Sequence, residues 1–99
     1  MKERILHLPI KKKWFDLIKS GEKKVEYREV KPYWEKRLLH RDHLFAIDFL
    51  SQRKIFDYII FTNGYRKDSP KLKVEWKGLD YGKFEGKNCF AIKLGKIVE

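Results

Sequence analysis

Apolar residues recur along this chain with two different periods, and the changes of period mark out its elements. Ile5-Leu6-His7-Leu8 is apolar on both faces except at His7, which predicts a short strand in the interior of a sheet. Pro9 suits a helix start, because its fixed φ and missing N–H cost nothing in a first turn. Ile10, Trp14, Leu17 and Ile18 then fall at i, i+4, i+7 and i+8, one stripe of an amphipathic helix whose Lys11, Lys12, Lys13, Asp16 and Lys19 face water. Ser20-Gly21 ends it, with Gly21 placed for a left-handed C-terminal cap. Lys23 to Val30 predicts a strand, with Val25 and Tyr27 on one face and Lys24, Glu26, Arg28 and Val30 on the other. Pro32 opens a second short helix in which Trp34 and Leu38 sit one turn apart, leaving at Arg41-Asp42.

The remainder is strand-rich. Leu44–Leu50 is a mostly apolar strand, Ser51-Gln52-Arg53 a turn, and Ile55–Thr62 the next strand. Asn63-Gly64 is a tight-turn signal, since both residues tolerate positive φ, and a polar loop follows to Pro70. Leu72, Val74 and Trp76 alternate with charged residues in a strand with one wet face. Gly78, Gly82 and Gly86 punctuate a stretch expected to turn twice, and Phe90, Ile92 and Leu94 alternate in a last strand ending near Val98. About six strands with two short helices near the N-terminus predict an α+β fold, a small β-barrel plugged by a helix.

Composition narrows the function. The 99 residues, all expected in one domain, carry 24 Lys+Arg against 14 Asp+Glu, a formal net charge of +10. Residues 1–41 hold 13 basic and 6 acidic side chains and residues 42–99 hold 11 and 8, so the surplus concentrates early. Such a charge draws polyanions, of which nucleic acid is the commonest in a cell. The aromatic fraction of 15% separates the chain from a disordered basic tail. Cys89 is the sole cysteine, which excludes an internal disulfide and a Cys-rich zinc site and points to a reducing, cytoplasmic compartment. Residues 5–10 are too short for a secretory h-region, and no stretch approaches the roughly 20 apolar residues of a membrane span. No membrane, metal or cofactor is expected, and a monomer is the expected state.

The chemistry concentrates in residues 21–30. On a strand, Glu26 and Arg28 stand side by side on one face. A partly buried Arg28 offers its planar fork to a phosphate or a base edge while Glu26 holds it; the alternative is an ordinary surface ion pair. Lys23 has the opposite strand parity and Lys24 the matching one, so either the strand begins after Lys23 or Lys24 takes part too.

Gly21-x-Lys23-x-x-Glu26-x-Arg28, after a strand and an amphipathic helix, resembles the signature of ASCH domains, a PUA-like family, and in particular its small stand-alone prokaryotic or phage type. The apolar strand running into Asn63-Gly64-Tyr65 is similar to the family's second half. The resemblance implies a PUA-like barrel and RNA bound in a basic cleft beside the motif, with Lys23, Glu26 and Arg28 as cleft residues. Some small bacterial relatives hydrolyse an acetylated cytidine with a threonine at the position of Glu26. Glutamate lacks that hydroxyl, and Thr62 is the only threonine of the chain. The resemblance also implies a ribonuclease as the alternative function, with Glu26 as base and Lys23 or Arg28 stabilising a phosphorane.

Smaller signals complete the picture. Tyr33, among Lys31, Lys36 and Arg37, and Tyr65 with Arg66 are candidates to stack on unpaired bases or to flank them, whereas Trp34 is expected to pack on Leu38. Lys11-Lys12-Lys13 either contacts phosphate non-specifically or is a solvated helix face. His40-x-x-His43 reads as a surface loop, His7 as a core or cleft-floor side chain, and Cys89 as a small buried hydrophobe.

Overall fold

The computed structural model describes residues 2–40 and 53–98. Strand β1, Ile5–Ile10, buries Leu6, Leu8 and Ile10 and exposes His7 and Pro9, a two-residue period with one wet face. Among the described residues it pairs in parallel with β3, Tyr58–Asn63, and stands at the end of the sheet; the expected strand Leu44–Leu50, which bears on whether β1 is interior, lies outside the described residues. Pro9 lies inside this strand, paired with Thr62, instead of opening the helix.

Helix α1 consequently starts later, at Lys12, and runs to Lys19 with Lys11 as its N-cap. Its buried residues are Phe15 and Ile18, and the rotation that seats them leaves Trp14 outside at 37% exposure. At the other end the Ser20 N–H bonds the Asp16 carbonyl and the Gly21 N–H bonds that of Ile18, with Gly21 at φ +87° as the cap required. The Lys23 N–H then bonds back to the Leu17 carbonyl at 3.0 Å, which folds the chain sharply into β2, Val25–Glu29. Helix α2, Pro32–Leu38, has proline in its first turn as expected and buries Leu38 completely.

The predicted exit at Arg41-Asp42, the strand Leu44–Leu50, His43 and the turn residues Ser51 and Gln52 lie outside the described residues. Arg53 forms an antiparallel bridge with Leu39. β3 starts three residues later than predicted. After it the chain does not turn back in two residues: Gly64 takes φ +102°, its N–H bonds the Ile10 carbonyl, and a loop continues to Pro70.

Strands β4, Lys71–Phe84, and β5, Lys87–Ile97, form a long hairpin. The stretch expected to turn twice turns once, at Glu85-Gly86, whose two successive positive φ values suit a tight hairpin. Gly82 pairs with Cys89 inside the ladder, and Gly78, at φ +134°, sits where the register shifts. That irregularity moves the buried set from Leu72 and Val74 to the odd-numbered Leu79.

The five described strands form a mixed sheet of order β1-β3-β4-β5-β2, antiparallel except at β1–β3. Among the described residues it is open, with β1 and β2 at its ends, and shows no barrel closure by backbone pairing; the sixth expected strand, Leu44–Leu50, lies outside the described residues. Side chains cross the gap instead. Arg28 on β2 donates to the Pro9 carbonyl at 3.3 Å, and Arg37 on α2 reaches the His7 carbonyl at 3.5 Å. The core joins Phe15 and Ile18 of α1 and Leu38 of α2 to the buried face of the sheet, with Leu8, Ile59, Phe61, Phe90 and Ile92 among its most enclosed members.

Candidate functional site

Alternation along β2 puts Glu26 and Arg28 on one face, and the sharp turn at Gly21 brings Lys23 over them. Glu26 is 4% exposed and is the one buried charged residue among those described. Burying a carboxylate is unfavourable unless opposite charge and hydrogen bonds compensate, and here two cations do so. Lys23 Nζ lies 3.4 Å from Oε1, and Arg28 Nη1 donates directly to Oε2. The Lys23 and Arg28 side chains are themselves only 16% and 17% exposed, so water screens the group weakly.

The two cations are not equivalent. Arg28 also donates to the Tyr27 carbonyl at 2.9 Å and to that of Pro9, so three protein acceptors hold its guanidinium, and its Cζ lies 5.2 Å from the Trp34 ring centre. Lys23 meets one carboxylate oxygen and two ring faces, Trp14 at 5.0 Å and Tyr27 at 5.6 Å. An ammonium has three donors, so Lys23 retains capacity for a ligand while Arg28 chiefly fixes the geometry.

Above this group opens a pocket of about 400 Å³ lined by Trp14, Lys23, Glu26, Tyr27, Arg28 and Phe84, with Lys11, Tyr65 and Glu85 also on its wall. The volume is that of a small-molecule site. Tyr27 and Phe84 stack with centroids 4.0 Å apart and planes 9° from parallel, so β2 and the end of β4 supply one flat apolar wall. Tyr65, 85% exposed, reaches in from the loop after β3. The arrangement combines a buried acceptor, an available cation and aromatic faces. It suits a flat, polar-edged ring that carries or adjoins negative charge.

The structure brings four of the sequence-predicted residues together here: Lys23, Glu26, Arg28 and Tyr65. Because β2 begins at Val25, Lys23 precedes the strand and escapes its parity, which decides between the two alternatives. Lys24 lines a separate pocket. Arg66 is exposed, 3.9 Å from Asp68, and does not line the main pocket. Tyr33 is exposed on α2, edge-on to Trp34 at 4.8 Å with Arg37 over its ring, and it too lies off the pocket wall. Trp34 packs against the core as expected.

His7 is exposed on the wet face of β1, which corrects its reading as a core or cleft-floor residue. His40 is exposed and Cys89 is buried. Thr62 pairs with Pro9 and Lys71 in the sheet and does not line the pocket. Lys11 lines it, Lys12 pairs with Asp16 at 2.6 Å, and Lys13 covers the Trp14 ring. Among the described residues no group of three or more His, Cys, Asp or Glu could hold a metal ion.

Three wall residues escaped sequence reasoning. Trp14 falls in the core stripe with Ile10 on sequence spacing, but Ile10 belongs to β1 and the helix packs through Phe15 and Ile18, which leaves Trp14 at the border of the buried face. Tyr27 follows from β2 parity only once its partner is known. Phe84 sits in the glycine-punctuated stretch read as turns, although an aromatic beside a Glu-Gly hairpin signal was a visible cue. Comparison with protein-family models, with curated proteins and with solved structures returned no match.

Proposed function

We propose that this chain is an RNA-binding domain of the ASCH, PUA-like kind, holding a nucleotide in the pocket over Glu26. The observation that carries the reading is the buried Glu26 clamped between Lys23 and Arg28 beneath aromatic walls, in a protein of net charge +10. Lys23 contacts phosphate or a base edge, Glu26 accepts from a base amino group, Arg28 holds Glu26 in register, and Tyr65 stacks at the rim. The open sheet is read as the PUA-like barrel with its seam crossed by Arg28 and Arg37 rather than by a ladder.

Both carboxylate oxygens of Glu26 are already engaged by cations, which suits an acceptor that positions a ligand. The test is fluorescence anisotropy of end-labelled single-stranded RNA and a matched DNA duplex, titrated across salt. The reading predicts tighter binding to the RNA, falling as salt rises. Equal binding to both, or none at low salt, overturns it. Cleaved RNA in the same samples would make the pocket a ribonuclease site, with Glu26 as its base.

A further inference from the structure

A second pocket, of about 320 Å³, lies on the other side of Lys23. Its apolar lining comes from Ile18 at the end of α1, Val74 on β4 and Leu94 on β5, all members of the buried core. Its charged lining is Lys23, Lys24 and Lys96, and no carboxylate lines it. Among the described residues neither Lys24 nor Lys96 has an ion-pair partner, and both are exposed. The neighbouring Glu75 does not compete for them: its Oε1 accepts the backbone N–H of Lys96 at 3.1 Å and faces Lys77 Nζ at 3.8 Å. Two unpaired lysines beside an apolar recess favour a ligand with negative charge next to an uncharged ring.

The two pockets share a wall. Lys23 lines both, whereas its neighbour Lys24 lines only the second. The turn that permits this is fixed by Gly21, which itself lines the second pocket, and by the bond between the Leu94 N–H and the Lys24 carbonyl at 2.9 Å. One ligand passing over Lys23 would therefore meet a carboxylate and aromatic faces on one side, and two free cations over an apolar floor on the other.

We propose that the second pocket takes the phosphate and base of the nucleotide adjoining the one held over Glu26, so that the binding unit is an unstacked dinucleotide step of single-stranded RNA. The inference rests on the RNA-binding reading of the first pocket and adds the length and form of the ligand. Two bases seated in separate recesses are not stacked on each other, so a duplex is excluded as the ligand of the pair of pockets.

The experiment is calorimetric titration of the full chain with 5′-phosphorylated mono- and diribonucleotides in the four homopolymer series. In at least one series the second nucleotide should tighten binding about tenfold. In a Lys24→Ala/Lys96→Ala variant that gain should fall below about twofold, and both substitutions are on exposed side chains that the fold does not need. A mononucleotide that binds with no gain in any series, or a gain that survives in the double variant, overturns the dinucleotide site and leaves the first pocket standing. Absence of binding by any mono- or dinucleotide, together with absence of binding by longer RNA, overturns both.

Discussion

Glu26 separates a structural charge from an ornamental one. Lys12 and Asp16 lie 2.6 Å apart, yet both are well exposed, so that pair contributes at most about 1 kcal/mol. Glu26 is enclosed with two poorly solvated cations, and removing it leaves both without their acceptor. Glu26→Ala is expected to lower stability by about 3 kcal/mol, read from the denaturant midpoint; a loss under about 1 kcal/mol would mean that the group is solvated after all. Arg28→Ala should reduce stability and RNA affinity together, because its guanidinium ties β2 to β1 as well as holding Glu26. An Arg28→Ala variant with native stability would refute that double role. At this scale the Glu26–Arg28 pair was legible from strand parity alone. The share of Arg28 taken by backbone carbonyls was not, because the Pro9 acceptor lies 19 residues away.

Elements with local punctuation were legible, and those defined by their neighbours were not. Pro32 and the Trp34–Leu38 spacing locate α2, and Ser20-Gly21 locates the end of α1. A Cβ at Gly21 would meet nothing within 4 Å, so Gly21→Ala isolates the cost of positive φ. It should destabilise by about 1 kcal/mol in thermal melts; an unchanged melting temperature would mean that the cap relaxes freely. Gly78 reads as a turn in the sequence but sits at a register shift inside β4, because a bulge and a turn share the same residue signal.

β1 is also held at its start by Asp57. The backbone N–H of Arg4 donates to its carboxylate at 2.8 Å and, against some desolvation, holds Asp57 below the usual carboxylate range, helped by the Arg4 guanidinium at 3.6 Å. A depressed carboxyl stabilises the fold above its unfolded value, near pH 4, and loses that contribution as pH falls through the folded value. Asp57→Asn should therefore have a shallower loss of stability below about pH 4 than the parent chain. Parallel acid limbs would contradict the assignment.

For the whole molecule, the net charge of +10 raises encounter with any polyanion, and the pocket must supply what that charge cannot. The composition suggests a polyanion as the class of partner. It does not show that the pocket walls come from α1, β2, β4 and the loop after β3, because Trp14, Tyr27, Phe84 and Tyr65 meet through the β4–β5 hairpin and the crossover from β1 to β3. The most direct test replaces one unit of charge inside the pocket and one outside it: Lys23→Gln against Lys12→Gln, each titrated with the same labelled single-stranded RNA at one salt concentration after thermal melts confirm folding. The account predicts that Lys23→Gln weakens binding at least about tenfold and Lys12→Gln less than about twofold. Equal losses from the two substitutions would show that binding follows net charge alone, and would contradict a pocket over Glu26.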